Sequence, residues 1–265
     1  MTHVHLVGIG GSGLSAIARL LLESGYSVSG SDRTPSELAR ELAAAGATVF
    51  SGHAAENIRG ADLVVRSSAI PDSNPEVQAA LVAGIPVLKR ADFLGRLMSG
   101  RTGIAVAGTH GKTTTTAMVA WLLTACGQKP SYIIGGVSKN LGNNAHAGQG
   151  SAFVIEADEY DRMFLGLNPR IAVVTMMEHD HPDCYPTPQE YRAAFVDFVH
   201  TLQPGGLFIT NADDAQAASL AAELPAGCRV VTYGMNPDAG LRALDVKRNS
   251  EGGFSFRVRT DTDAE

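Results

Sequence analysis

Apolar residues recur along this chain in two rhythms. Short runs such as "VHLVGI", "YSVSGSD", "DLVVRSSAI" and "IPVLKR" read as strands. Between them "SGLSAIARLLLESG", "PSELARELAAAG" and "NPEVQAALVAG" carry apolar positions at helical spacing. Gly25 and Gly46 stand just past the first two helical stretches, and Pro35 opens the second. Strand alternating with helix predicts a parallel sheet covered on both faces. After the connecting stretch "LGRLMSGRTG" the rhythm restarts. "IAVAG" is a strand, a helix follows from 113 to about 126, and "AFVIEADEYD" and "RIAVVTMMEHDH" read as buried strands ending in acids and histidines. "TPQEYRAAFVDFVHTL", "GGLFITNADD" and "GCRVVTYG" continue the α/β pattern. The tail "LRALDVKRNSEGGFSFRVRT" predicts a β-hairpin around 251–253, without the long helical segment expected to close such a domain. The pattern predicts two α/β domains, 1–99 and 100–265, with the boundary near 99–102 and the second incomplete at its C-terminal end.

The 265 residues suffice for one large or two ordinary domains, and 45% hydrophobic against 18% charged residues is the balance of a globular chain. A net charge of −6 argues against a nucleic-acid or anionic-membrane coat, so anions must be caught locally by backbone amides and single basic residues. Cys126, Cys184 and Cys228 show no metal-ligand spacing and fit a reducing compartment as plain core or surface residues. There is no signal-like start and no apolar segment of about 20 residues, so a cytoplasmic protein is expected.

Two turns carry candidate chemistry. In "IAVAGTHGKTTTT" a strand runs through a glycine turn into a helix, the context in which backbone N–H groups and the helix dipole gather phosphate oxygens. Gly108, Thr109, His110, Gly111, Lys112, Thr113 and Thr114 form the candidate triphosphate loop. Lys112 would reach the β- and γ-phosphates, and the Thr113 hydroxyl a Mg²⁺ ion. Val106, five residues before Gly111, departs from the strict loop pattern, and a plain turn with an exposed lysine is the other reading. The second turn, "GIGGSG", has Asp32 at the end of the following strand; spacing alone allows NAD, another nucleotide diphosphate, or simple helix–strand packing.

Acids follow the second strand system. Glu156 ends a strand about forty-five residues past the lysine, where a phosphate-binding sheet keeps a carboxylate for Mg²⁺. Asp158, Glu159 and Asp161 crowd the same turn, which reads equally as a solvated acidic loop. In "EHDHPD" a zinc site lacks further well-placed ligands, and a single histidine reaching a second Mg²⁺ is preferred.

Taken together, "VHLVGIGGSGLSAIA", "AVAGTHGKTTTTAMVAWLL", "EADEYD", "DHPDCY" and "TYGMNPDAGLRA" resemble the Mur ligase family of peptidoglycan synthesis, in order and over nearly all of the chain. The resemblance implies a Rossmann-like first domain that holds a UDP-sugar rather than NAD. Gly10, Gly11, Ser12 and Gly13 would face the diphosphate, with Asp32, His53, Ser67 and Ser68 nearer the uridine. It implies a P-loop-type ATP domain with Lys112 on the phosphates, Thr113 and Glu156 on one Mg²⁺ and His181 on a second. Lys112, Glu156 and His181 would be the catalytic set. The implied reaction joins UDP-N-acetylmuramate to L-alanine at the expense of ATP; a recycling member that attaches a tripeptide is the alternative. Several family members carry a carbamylated lysine in a segment resembling "YRAAFVDF"; this chain has Phe195 or Val196 there and no lysine from 189 to 206, which disfavours the later-acting ligases. The family's third, amino-acid-binding domain has no counterpart here, so the stretch alone is not expected to turn over. An NAD-dependent oxidoreductase would leave the lysine loop without a task, and a non-catalytic nucleotide-binding module would predict phosphate release unchanged by Lys112→Ala.

Overall fold

The computed structural model describes residues 2–34 and 36–260; Pro35, expected at a helix start, lies outside the described residues. The chain packs as two compact units, residues 1–101 with 116–156 and residues 102–115 with 157–265.

The first unit begins with the expected alternation: β1 (His3–Val7), α1 (Ser12–Glu23), β2 (Ser27–Asp32), α2 (Glu37–Ala44), β3 (Thr48–Ser51), β4 (Leu63–Arg66), α3 (Pro75–Val82), β5 (Val87–Lys89) and α4 (Arg90–Met98). The strands form a parallel sheet in the order β3-β2-β1-β4-β5. Leu6 and Val7 of the central strand are fully buried, and α1 lays Leu14, Ile17 and Leu21 onto the sheet. Local chemistry fixes the helix starts: the Ser36 hydroxyl accepts from Ala39 N at α2, and Asn74 precedes Pro75 and accepts from Glu76 N and Val77 N at α3. Strand order reverses at β1, so the β1–α1 turn lies at the switch point where open α/β sheets bind ligands.

One element departs from expectation. The run "IPVLKR" stays extended only over Val87–Lys89, and Arg90 opens a helix instead of a connecting stretch. Phe93, Leu94 and Met98 recur on one face and are buried, which offsets the helix penalty of Gly95.

Next come β6 (Thr102–Ala107), α5 (Lys112–Ala125), β7 (Ser131–Ile133), β8 (Ala145–His146) and β9 (Ala152–Glu156). Within the first unit β7 pairs parallel with β9 and antiparallel with β8.

The second unit adds β10 (Ile171–Val174), α6 (Pro188–His200), β11 (Leu207–Asn211), α7 (Ala215–Ser219), β12 (Arg229–Gly234), β13 (Leu241–Arg248) and β14 (Phe254–Thr260). Its strands run in the order β14-β13-β12-β11-β10-β6, parallel except for the final hairpin. That hairpin is the one expected around 251–253, closed by Asn249 N donating to Gly253 O. Thr187 and Glu190 form a reciprocal capping box at α6. Phe195 and Phe198 of α6 pack edge-on and face-on against Phe164. The expected strand through "RIAVVTMMEHDH" ends at Val174, because Thr175 N already donates to Ala107 O and the following backbone turns onto the β6–α5 loop. The class is α/β: a five-strand parallel sheet, then a mixed, mostly parallel one. No helix among the described residues is long and apolar enough to cross a membrane.

Candidate functional site

The loop between β6 and α5 is built from both of its ends. Gly108 has φ +131 and Gly111 φ +81, conformations open to glycine and strained for side chains. A Cβ on Gly108 would stand 2.1 Å from Thr175 Oγ1 and 2.9 Å from Met176 O, so the backbone there lies flat against the end of β10. Thr109 fastens the contact. Its N–H donates to Met176 O (3.0 Å), its hydroxyl donates to Glu178 O (2.8 Å), and the same oxygen accepts from Glu178 N (2.9 Å) and sits 2.8 Å from the Tyr191 hydroxyl. Thr175 Oγ1 donates to His110 O at 2.6 Å. His110 is exposed, with Nε2 3.4 Å from Glu178 Oε2. Thr113 and Thr114 lie exposed on the first turn of α5. The Lys112 ammonium folds over the loop and donates to Gly108 O (2.8 Å), Thr109 O (3.3 Å) and Glu159 Oε1 (2.8 Å).

That last partner is the acid the sequence did not single out. Glu159 is fully buried, whereas Asp161 of the same turn is exposed and Asp158 half-buried; the solvated-loop reading therefore fails for this one member. Burial pushes the Glu159 carboxyl up in pKa, and the Lys112 ammonium opposes the rise. His181, on a left-handed turn at φ 55, brings Nε2 to 3.7 Å from the same Glu159 oxygen and stacks edge-on against Tyr160. Asp180 accepts from His181 N, which with the neighbouring cations holds its carboxyl below the usual range. Tyr185 and Tyr191 wall the site. Burial pushes the Tyr185 phenol up to about 12 and raises that of Tyr191 as well. The structure thus gathers Lys112 and His181 around Glu159. Glu156, at the end of β9, is half-buried and accepts from Gly135 N at 2.7 Å; a Cβ on Gly135 would lie 2.4 Å from its carboxylate. No group of three His, Cys, Asp or Glu side chains among the described residues could cage a metal ion.

The β1–α1 turn of the first unit is organised by other means. Gly8 takes φ +91, and a Cβ there would meet Ser67 Cβ at 3.4 Å and Ile70 Cγ1 at 3.6 Å. Gly10 N donates to Asp32 Oδ2 (3.0 Å) and Gly10 O accepts from Ser36 Oγ (2.9 Å), so Asp32 braces the turn itself. Gly11 N donates to Gly8 O (3.1 Å). The N-terminus of α1, with Gly11 before it, has no side-chain cap, so its first-turn amides, those of Ser12 and Gly13 included, receive no capping side chain among the described residues. A Cβ on Gly13 would fall 2.2 Å from Arg90 Cζ, so a guanidinium lies directly over this first turn. Sequence reading missed Arg90 because it assigned that residue to a strand end. Ser67 lies beside Gly8, while Ser68 is exposed. His53 is drawn inward: Nδ1 is 2.9 Å from Ser31 Oγ and 3.3 Å from Glu76 Oε2.

Two family descriptions match this chain, one after the other. The description "Mur ligase family, catalytic domain" matches residues 3–102, and "Mur ligase middle domain" matches residues 106–263. A UDP-N-acetylmuramate–L-alanine ligase of Acidithiobacillus ferrooxidans is 48% identical over 262 residues, 98% of this chain and 56% of that protein. A crystal structure of UDP-N-acetylmuramate:L-alanyl-gamma-D-glutamyl-meso-diaminopimelate ligase from Neisseria meningitides superposes with a TM-score of 0.86 at 29% identity, covering 97% of this chain and 84% of that one. The UDP-N-acetylmuramate-alanine ligase MurC of Thermotoga maritima gives a TM-score of 0.76 at 30% identity, covering 94% and 56%. The chain spans about half the length of the curated relatives it matches. With both domain descriptions matched in order along one polypeptide, this chain belongs to the Mur ligase family.

Proposed function

We propose that this chain supplies the UDP-sugar-binding and ATP-binding parts of a cytoplasmic ligase that joins L-alanine to UDP-N-acetylmuramate in peptidoglycan precursor synthesis. The division of labour is residues 1–99 for the sugar nucleotide and 100–265 for ATP. The observation that carries the reading is the strand–turn–helix junction at 107–112, where two left-handed glycines and a lysine form an anion cradle. The α1 turn, uncapped and covered by Arg90, supports a second cradle for the diphosphate of the sugar nucleotide. Gly10 and Gly11 shape that turn, Ser12 and Gly13 present amides, and Asp32, His53, Ser67 and Ser68 line its approach to the uridine.

The chemistry follows from the electrophile. A carboxylate resists attack by an amine because oxide is a poor leaving group. The muramoyl carboxylate oxygen attacks the γ-phosphorus of ATP, a P–O bond forms, the β–γ bridging bond breaks, and ADP departs. The α-amine of L-alanine then attacks the acyl carbon, the C–O bond to phosphate breaks, phosphate leaves, and the nitrogen loses a proton. Lys112 offsets charge on the transferring group, and the loop amides of His110 and Gly111 and the Thr114 side of α5 orient the chain of phosphates. Bound Mg²⁺ would screen the repulsion between the two anions. Such an ion needs only one or two protein ligands and completes its shell with phosphate and water; Thr113 and Glu156 would hold one and His181 a second.

L-Alanine is preferred over the tripeptide as acceptor because the L-alanine ligases reach 48% identity, against 29% for the tripeptide-ligase structure. The test is phosphate release from ATP by the whole ligase of which these are parts, with UDP-N-acetylmuramate and either acceptor. L-Alanine should support turnover, and Lys112→Ala should lower it by on the order of a thousandfold. Tripeptide-only turnover would transfer the assignment to the recycling reaction. An unchanged rate in Lys112→Ala would end the phosphoryl-transfer reading. Protection from thermal unfolding by NADH and not by UDP-N-acetylmuramate would favour an oxidoreductase.

A further inference from the structure

Of the three acids crowded after β9, one is removed from water. The Glu159 side chain has no exposed surface; Oε1 stands 2.8 Å from Lys112 Nζ, 3.5 Å from the Tyr191 hydroxyl and 3.7 Å from His181 Nε2. Oε2 is buried without a hydrogen-bond partner among the described residues. The Glu159 carbonyl accepts from the Tyr185 hydroxyl, and Asp161 and Arg162 turn the chain back at φ 54 and 52. A buried carboxylate with one oxygen unsatisfied is expensive, and an apolar side chain of similar size would fill the space at lower cost. Packing therefore does not account for it.

We propose that Glu159 is a positioning residue of the triphosphate site: a single carboxylate oxygen holds the Lys112 ammonium and the His181 ring in place over the glycine turn. The inference rests on the reading of that turn as the ATP loop. A lysine stem has four rotatable carbons and loses substantial rotamer freedom when ordered. Two backbone carbonyls and the buried carboxylate impose that order beforehand, so less remains to be lost when phosphate oxygens arrive. Because His181 approaches the same oxygen from another loop, loss of the carboxylate would loosen both groups together.

The experiment uses this 265-residue chain. Lysine ammonium signals are recorded by ¹⁵N–¹H NMR without divalent metal, with Lys112 assigned through Lys112→Arg. The Lys112 signal should be protected from solvent exchange in the wild type and lost in Glu159→Gln. Calorimetric ATP affinity in the presence of EDTA should weaken about tenfold in Glu159→Gln. A purely structural role predicts instead a lowered Tm with ATP affinity within twofold, and that result overturns the proposal. So does a Lys112 signal indifferent to Glu159→Gln. Should Glu159→Gln fail to fold, thermal unfolding of Lys112→Met alone and combined with Glu159→Gln decides. The single change strands a buried charge, so the double variant should melt higher; equal or lower melting refutes the anchor. If the wild type binds no ATP at millimolar concentration, the triphosphate reading fails, and the metal-free spectra and melting cycle separate that failure from failure of the anchor.

Discussion

Glu76 Oε2 lies 3.6 Å from His5 Nε2, and neither side chain has any exposed surface. The carboxylate also accepts from Ser31 Oγ (2.5 Å) and Asn57 Nδ2 (2.6 Å), and His53 stands 3.3 Å away. Burial pushes this carboxyl up in pKa, but the His5 ring beside it and the hydrogen bonds from Ser31 and Asn57 outweigh it and bring the value down to about 2. The consequence is a stabilising charge in the interior of the first sheet. A folded pKa below the unfolded one gives stability that is fully present above about pH 4.5 and fades as pH falls toward 2. Glu76→Gln should therefore lose about 3 kcal/mol at neutral pH, with the gap to the wild type closing on acidification. Urea denaturation at a series of pH values measures it. A gap that stays constant down to pH 2 would contradict the charged state.

The lysine loop makes a steric prediction. Gly108→Ala should cost about 2–4 kcal/mol, since its Cβ meets Thr175 Oγ1 at 2.1 Å in a left-handed backbone. Gly25→Ala is the control: φ is +81 but nothing lies within 4 Å, so about 1 kcal/mol is expected. Equal losses for the two would mean the loop does not press on β10.

Arg90 offers a test of the first cradle. A guanidinium over a helix N-terminus is held against the helix dipole, an arrangement that an anion placed between them would relieve. Arg90→Ala should weaken UDP-N-acetylmuramate binding about tenfold or more while leaving ATP binding within twofold, as read by calorimetry. Weakening of both to the same degree would point to general loss of structure.

Glu156→Gln addresses the metal. The neutral amide keeps an oxygen to accept from Gly135 N but loses the charge, so Mg²⁺–ATP affinity should fall about tenfold and UDP-sugar affinity stay level. Parallel loss of both would contradict the assignment of ATP and sugar nucleotide to separate parts of the chain.

Much of the architecture was legible because its signals are local. The strand-to-helix passage from Ala107 through Gly108 to Lys112, the Asn74–Pro75 start of α3 and the Thr187–Glu190 box each declare themselves within a few residues. The acids after β9 do not. Asp158, Glu159 and Asp161 share one composition, and what selects Glu159 for burial is the backbone reversal at Asp161 and Arg162 together with tyrosines that arrive from residues 185 and 191. Arg90 was obscured for a related reason: its neighbours in "VLKR" look extended, and only the burial of Phe93, Leu94 and Met98 reveals a helix. Asp32 was expected nearer the uridine; its carboxylate is engaged by Gly10 N, a pairing that depends on how closely β2 approaches the turn.

The Thr109 hydroxyl has a reach beyond its own bend. By joining the backbone of Glu178 and the phenol of Tyr191, 82 residues away, it ties the curvature of the phosphate loop to the seating of α6. A methyl group gained or lost beneath that helix would thus be felt at the loop, so the packing of one helix and the grip of the bend are set by a shared hydroxyl.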